Sequence, residues 1–368
     1  AELRSNPEIL PLSSDFSIYD ADDAKNLLKR VITSLNFSEY SKKYGFYSAL
    51  ISWLKNRGIT PEGCSGAVIP FEMEERALND FLIIWKEYEE ALIRANAVDF
   101  DNILLHTWKL FIIKPSILKK YQNRFQYIFV DEFQDTNKPQ YEIVKLLAQV
   151  HKNLTCVGDD CQAIYGFRGA CPDNMFRILE DFKDENPRVF YITKNYRSSP
   201  VIVDCLNSVV KNIENKYEKE FKAESSKAVP VKIIKAVNEH EEARKIAETI
   251  LEIKNRERLS YDDFAIIYRT NYQSSYFEDA LRRKNIPYRV YASISFFQRK
   301  EIKDALAFCR LAINPEDDEA LLRTINLPKR GIGDETISSL IKIGKEKNIS
   351  IFKAITDSSI LNLSLIHI

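Results

Sequence analysis

The chain has 368 residues, 45% hydrophobic and 29% charged, and its 53 basic and 53 acidic side chains cancel to a formal net charge of zero. That composition describes an ordinary soluble chain able to bury cores, about two to four domains by length, and it leaves any basic binding surface to be local. No apolar run approaches the roughly 18 residues that span a bilayer, so no membrane partner is expected, and no secretory signal opens the chain.

Six cysteines, Cys64, Cys156, Cys161, Cys171, Cys205 and Cys309, form no CxxC pair and have only four histidines for company, which argues against a zinc site. A reduced, cytoplasmic setting fits that usage, with Cys156 as a core thiol. The methionines are Met73 and Met175, and residue 1 is alanine, so the chain reads as a processed or truncated piece.

Taken in order, residues 1–20 hold proline and serine breaks and the apolar-polar run Phe16 to Tyr19. Asp20 and Asp22 are helix-start residues. From Asp22 to about Trp108 the spacing predicts helices, notably over 24–35, 46–55 and 71–95, with a loop from Gly58 to Gly66. Then comes a short apolar run, Tyr127 to Val130, which stops at Asp131-Glu132-Phe133-Gln134-Asp135-Thr136-Asn137. A helical pattern follows from Pro139 to Val150, and a second apolar run, Leu154 to Val157, stops at Gly158-Asp159-Asp160-Cys161-Gln162. Two buried-type strands joined by a helix predict a parallel βαβ unit, whose ligands bind beyond the carboxyl ends of the strands.

Further strands are expected at Arg188–Ile192, Val231–Ile234 and Phe264–Tyr268, with helices at Val201–Val210 and Glu239–Ile253. Lys211 to Lys227 reads as a solvated helix end and loop. Beyond about Tyr291 the pattern is helical again, through Glu301–Leu311 and past Ser338.

Asp131-Glu132 at a strand end suits a magnesium-nucleotide site, because a hard cation takes carboxylate oxygens and an adjacent acid can orient or deprotonate water. The bland reading of two such acids is helix capping. In Gly331-Ile332-Gly333, two glycines could offer backbone N–H groups to a phosphate, helped by Lys329 and Arg330, although a lone GxG is most often a turn. The pair Gly58 and Gly63 has the glycine spacing of a phosphate loop, but Cys64-Ser65 stands where Lys-Ser/Thr is required, and no strand precedes it.

The ordered strings Asp131–Asn137, Val157–Ala170 and Asn195-Tyr196-Arg197-Ser198-Ser199 resemble motifs II, III and IV of the UvrD/Rep/PcrA group of superfamily 1 DNA helicases. Val98-Asp99-Phe100-Asp101-Asn102-Ile103-Leu104 is similar to that family's DFDDLL segment. Tyr268–Asn271, Phe296–Asp304 and Lys329–Gly333 are similar to its later segments. The resemblance implies an α/β chain of incomplete RecA-like (P-loop NTPase) motor domains carrying inserted, mainly α-helical domains. The expected layout is 1–122 as a first inserted helical domain, 123–193 as the carboxyl half of the first motor domain, 194–290 as the first half of the second, and 291–368 as the start of a second inserted domain.

It also implies roles. ATP and Mg2+ are the expected cofactors. Asp131 and Glu132 would hold the metal, Glu132 would activate water, and Gln162 would sense the γ-phosphate. Tyr196 would stack on adenine and Arg197 would reach the γ-phosphate from the second motor domain. Phe167 would stack on a DNA base, supported by Tyr165 and Arg168, with Arg269 and Asn271 toward the single strand or the cleft and Lys329, Arg330, Gly331 and Gly333 on duplex DNA. Phe167 replaces a frequent tryptophan, and Tyr291-Ala292-Ser293 departs from a glycine-rich segment. The expected partners are single-stranded DNA and the single-strand/duplex junction, with 3′-to-5′ polarity implied by the family; the oligomeric state is left open.

No Walker A loop and no late motifs V and VI are found, and Leu361–Ile368 matches nothing in the family. The expectation is an internal helicase fragment, inactive in isolation. Two rivals remain: a natural, non-catalytic DNA-binding remnant, and a metal-dependent nuclease built on Asp131, Glu132, Asp135, Asp159 and Asp160.

Overall fold

The computed structural model describes residues 2–6, 12–37, 40, 43–66, 73–214, 216–226, 230–291 and 300–356. The departure at Ala292-Ser293, the Phe296–Arg299 part of the later family segment and the tail Leu361–Ile368 lie outside the described residues. Two compact units result: Ala1–Phe190 with Lys300–Ile368, and Tyr191–Arg299.

The first unit begins with a helical core. Asp20 caps α1 (Ala21–Ser34), accepting the N–H groups of Asp22 and Asp23 at 2.9 Å, while the Asp23 side chain answers on the Asp20 N–H. This reciprocal cap satisfies donors that a helix start leaves orphaned. Leu27, Leu28, Val31 and Ile32 form its apolar stripe and pack with α2 (Tyr44–Lys55) and α3 (Glu75–Arg94) around fully buried Phe81, Ile84 and Trp85. Each such side chain is worth roughly 1.5–3 kcal/mol of burial.

The helical run expected up to Trp108 is broken. Asn96, at φ 46°, ends α3 in the left-handed region, and β2 (Ala97–Asp99) pairs in parallel with β1 (Ser17–Tyr19), placing Tyr19 opposite Asp99. Asp99 then caps α4 (Phe100–Ile113) through the Asn102 N–H at 2.7 Å. Beneath it, buried Lys55 reaches Asp99 at 2.6 Å and Glu89 at 2.7 Å. Burial opposes its charge, yet those two carboxylates hold the Lys55 pKa above its ordinary value.

After α5 (Pro115–Arg124) comes the βαβ unit. β3 (Ile128–Val130) and β4 (Leu154–Cys156) pair in parallel, Ile128 opposite Leu154 and Val130 opposite Cys156, joined through α6 (Lys138–Ala148). Partial burial pushes the Cys156 thiol up to about 12, the behaviour of an unreactive thiol. α7 (Asn174–Asp181) closes this stretch, its Asn174 amide bonding the Thr136 carbonyl at 3.1 Å.

In the second unit, β5 (Lys194–Asn195) pairs in parallel with β6 (Lys222–Ala223), so a strand lies inside the stretch expected to be only helix end and loop. α8 (Pro200–Val210) runs between them, and α9 (Glu239–Glu257) packs on α10 (Asn271–Arg283) through Ala247, Ile250 and Leu281. The strands expected at Arg188–Ile192, Val231–Ile234 and Phe264–Tyr268 are not formed. Ile192, Ile233 and Ile267 are 79%, 86% and 95% exposed. An apolar run becomes a strand only when a neighbour accepts its N–H groups, and among the described residues these runs have no ladder partner.

Residues 300–356 return to the first unit as α11 (Lys300–Ile313), α12 (Asp318–Thr324), α13 (Asp334–Lys347) and α14 (Ile351–Thr356). Polar contacts anchor them: Arg310, steadied by Asp317 at 2.9 Å, reaches Asp23 at 2.6 Å, and the Asn314 amide reaches the Asn96 carbonyl at 3.0 Å.

Candidate functional site

Asp131 and Glu132 stand exposed where β3 ends. Glu132 adopts φ 49°, ψ 43°, a left-handed conformation that costs a residue with a Cβ of order 1–3 kcal/mol and persists only where its surroundings dictate it. Three bonds do so here. Its N–H donates to Asp131 Oδ1 at 2.9 Å, its carbonyl accepts the Asp135 N–H at 2.9 Å, and the next N–H, from Phe133, donates to the Val157 carbonyl at 2.9 Å. The turn is thereby pinned to the end of β4.

Gln134 is buried at 1% exposure. Its Nε2 donates to Glu132 Oε2 at 2.7 Å, and its Oε1 accepts the Asp159 N–H at 3.0 Å. A Cβ on Gly158 would fall 2.5 Å from that Oε1, so only glycine leaves room for the amide. Asp159 in turn accepts the Gln162 Nε2 at 2.8 Å on Oδ2 and the Cys161 N–H at 3.1 Å on Oδ1. The structure therefore brings Asp131, Glu132 and Gln162 into one hydrogen-bonded neighbourhood.

The loop continues into a helical turn at Gly166–Arg168. Tyr165 and Phe167 lie with ring centroids 6.0 Å apart, Phe167 is 64% exposed, and the Arg168 guanidinium sits 5.2 Å and 5.5 Å from the two rings. Gly169, at φ +85°, ends the turn where a Cβ would collide with Asn56. Asn56 is buried and ties three segments together: its amide donates to Asp101 at 2.9 Å, its carbonyl accepts the Lys138 N–H at 3.1 Å, and its Oδ1 accepts from Asn137. A cleft of about 780 Å³ opens beside the turn, with Phe100, Asp101, Asn137 and Phe167 among its walls.

In the second unit, Asn195 Oδ1 accepts the N–H groups of Arg197 at 3.0 Å and Ser198 at 2.8 Å, a turn that presents Tyr196 (71% exposed) and Arg197 outward. Arg269 and Asn271 are exposed at the start of α10, where Gln273 Oε1 accepts the N–H groups of Arg269 at 3.0 Å and Thr270 at 2.9 Å.

The Lys329–Gly333 segment is bracketed by Asn326, whose side chain bonds both the N–H and the carbonyl of Ile332. Gly331 takes φ +76° and Gly333 is the N-cap of α13. Lys329 is exposed, whereas Arg330 turns its Nη1 back onto the carbonyls of Thr324 at 2.7 Å and Ile325 at 2.8 Å. That leaves Arg330 less available to a phosphate than its position beside the glycines suggests.

The glycine pair at 58 and 63 is no phosphate cradle. Gly58 ends α2 at φ +71° under the Trp108 ring, and Pro61–Gly66 forms a short 3-10 helix. Nor do the five acids of a nuclease site converge. Among the described residues, the side chains that gather three potential metal donors within 4.8 Å are Asp159, Asp160 and Cys161, without Asp131, Glu132 or Asp135. Sequence reasoning passed over Gln134, Asn56 and Asn195. Gln134 and Asn195 sat inside the quoted strings, and their signal was an amide at a turn, whereas Asn56 carried none.

Two family models match the chain: the UvrD/REP helicase N-terminal domain over residues 2–183 and the UvrD-like helicase C-terminal domain over 190–363. The chain is 40% identical over 357 residues to DNA helicase II of Haemophilus influenzae, covering 96% of this chain and 47% of that protein. It is 36% identical to the ATP-dependent DNA helicase Rep of Buchnera aphidicola, over 95% of this chain and 52% of that one. It is likewise 36% identical to the ATP-dependent DNA helicase PcrA of Staphylococcus epidermidis, over 98% and 49%. The chain thus spans about half the length of the curated relatives it matches.

Proposed function

The chain belongs to the UvrD-like helicase family, and from that premise we propose that it forms part of an ATP-dependent DNA helicase that moves 3′-to-5′ along single-stranded DNA and separates strands at a junction. The observation that carries the reading is one βαβ unit holding both kinds of chemistry. Acids stand at the end of β3, and the loop after β4 ends in an exposed aromatic turn. Residues 1–122 are assigned to a first inserted helical domain, 123–193 and 194–290 to the two motor domains, and 291–368 to a second inserted domain.

Asp131 and Glu132 fit a magnesium site in donor chemistry, two exposed carboxylates of the hard-oxygen type. Bound Mg2+ supplies neutralisation of phosphate charge. Glu132 takes a proton from the water that attacks the γ-phosphorus of ATP, the bond to the β-phosphate oxygen breaks, and ADP and phosphate leave. Gln162 senses the γ-phosphate, Arg197 stabilises its developing charge and Tyr196 stacks on adenine. Phe167 and Tyr165, steadied by Arg168, offer π-faces to any base, which suits a motor that steps without regard to sequence. Arg269, Asn271, Lys329, Gly331 and Gly333 contact DNA beyond that platform, and Arg330 shapes the last of these turns.

The test is DNA-stimulated ATP hydrolysis by the full-length gene product. Glu132→Gln is expected to lower kcat by about 10²–10⁴-fold, as loss of a general base does. Unchanged turnover in that variant would remove Glu132 from the chemistry and the reading with it.

A further inference from the structure

We propose that Gln134 is a positioning residue that transmits DNA contact at the aromatic turn to the carboxylate of Glu132. The inference rests on the functional reading above and adds a residue and a path to it. One buried amide bridges the two loops of the βαβ unit. Toward β3 it donates to Glu132 Oε2 at 2.7 Å, and toward β4 it accepts the Asp159 N–H at 3.0 Å. Asp159 Oδ2 then accepts the Gln162 amide at 2.8 Å, and the same loop runs on to Tyr165 and Phe167.

The bridge is built rather than incidental. Gln134 is 1% exposed, so each end of its amide must find a protein partner or lose a hydrogen bond outright. Gly158 is the residue type that the space against its Oε1 admits. The Glu132 side chain is exposed, and the Gln134 N–H holds one of its oxygens in a fixed direction. A base that closes on Phe167 pulls on the 158–168 loop. That pull shifts the Asp159 N–H, and the amide turns the Glu132 oxygen with it. Contiguous hydrogen-bond networks with two discrete arrangements carry energetic coupling between sites.

The experiment is hydrogen–deuterium exchange on the chain as it stands, with and without saturating oligothymidylate, for the wild type, Gln134→Ala and Gln134→Met. Methionine fills the buried volume but offers Glu132 no N–H donor, so it carries the test if the alanine variant fails to fold. In the wild type, the oligonucleotide should change uptake in peptides covering 131–137 as well as 164–169. In both variants the change at 131–137 should be lost while that at 164–169 and the DNA affinity persist. In the full-length gene product the same variants should lose DNA stimulation of kcat with KM for ATP held. Persistence of the 131–137 response in the variants, or its absence in a wild type that protects 164–169, overturns the relay alone. A wild type that shows no response to DNA at either segment overturns the DNA reading and the relay together.

Discussion

Two regions of the first unit bury their apolar residues to very different degrees. In the helical core, Phe81, Ile84 and Trp85 have no exposure at all. In the β3–β4 sheet, Phe129 is 75% exposed, and Tyr127 and Val157, which flank the two strands, are 68% and 50% exposed. The sequence writes both as apolar. Helices complete their own backbone hydrogen bonds, so α1, α2 and α3 need only each other to close a core. A parallel strand needs covering on two faces and a neighbour on each edge, and among the described residues β3 and β4 have only one another as ladder partners. The proposed function sits on the second region: the acids Asp131 and Glu132 and the aromatic turn both grow from the less covered sheet.

The sharpest way to break that contrast is truncation. Trp85→Ala should cost about 3–5 kcal/mol of unfolding free energy through lost burial and a residual cavity, whereas Phe129→Ala should stay within about 0.5 kcal/mol. Urea unfolding of both variants checks this, and equal costs would mean the sheet face is covered in solution.

A smaller effect separates the regions by pH. Burial first, then the charges of Lys55 and Lys109, bring the His106 pKa on α4 down to about 4. The unfolded chain binds that proton near pH 6.5, so between about 6.5 and 4 unfolding takes up a proton and stability falls as pH drops. The loss levels off below about pH 4 at an expected 2–3 kcal/mol. Comparing His106→Gln with the wild type across this window isolates the contribution, and parallel pH curves would contradict it.

How much was legible follows the same divide. The α1–α3 helices and the β3–α6–β4 unit were readable because periodicity and a cap such as Asp20 are local signals. The strands at 188–192, 231–234 and 264–268 were misread because a ladder depends on a partner elsewhere in the chain. β2 was missed because its three residues lie between two helices and are marked only by Asn96. In the candidate site, Asp131, Glu132, Gln162 and the Tyr165–Arg168 turn stood out in the sequence because they lie in strings that resemble helicase motifs. Asn56 was invisible, since its partners at 101, 137 and 138 meet it only in three dimensions. Arg330 was legible as a cation but not as one folded back onto helix carbonyls.

Fluorescence anisotropy with labelled oligothymidylate asks whether the exposed turn on the sheet side is a DNA platform, as proposed. Phe167→Ala should weaken binding by about 1–3 kcal/mol, the worth of one stacked base, with a smooth salt dependence retained. Phe129→Ala, equally aromatic and more exposed but away from the turn, should leave affinity where it was. Unchanged binding in Phe167→Ala, or an equal loss in both variants, would contradict the account.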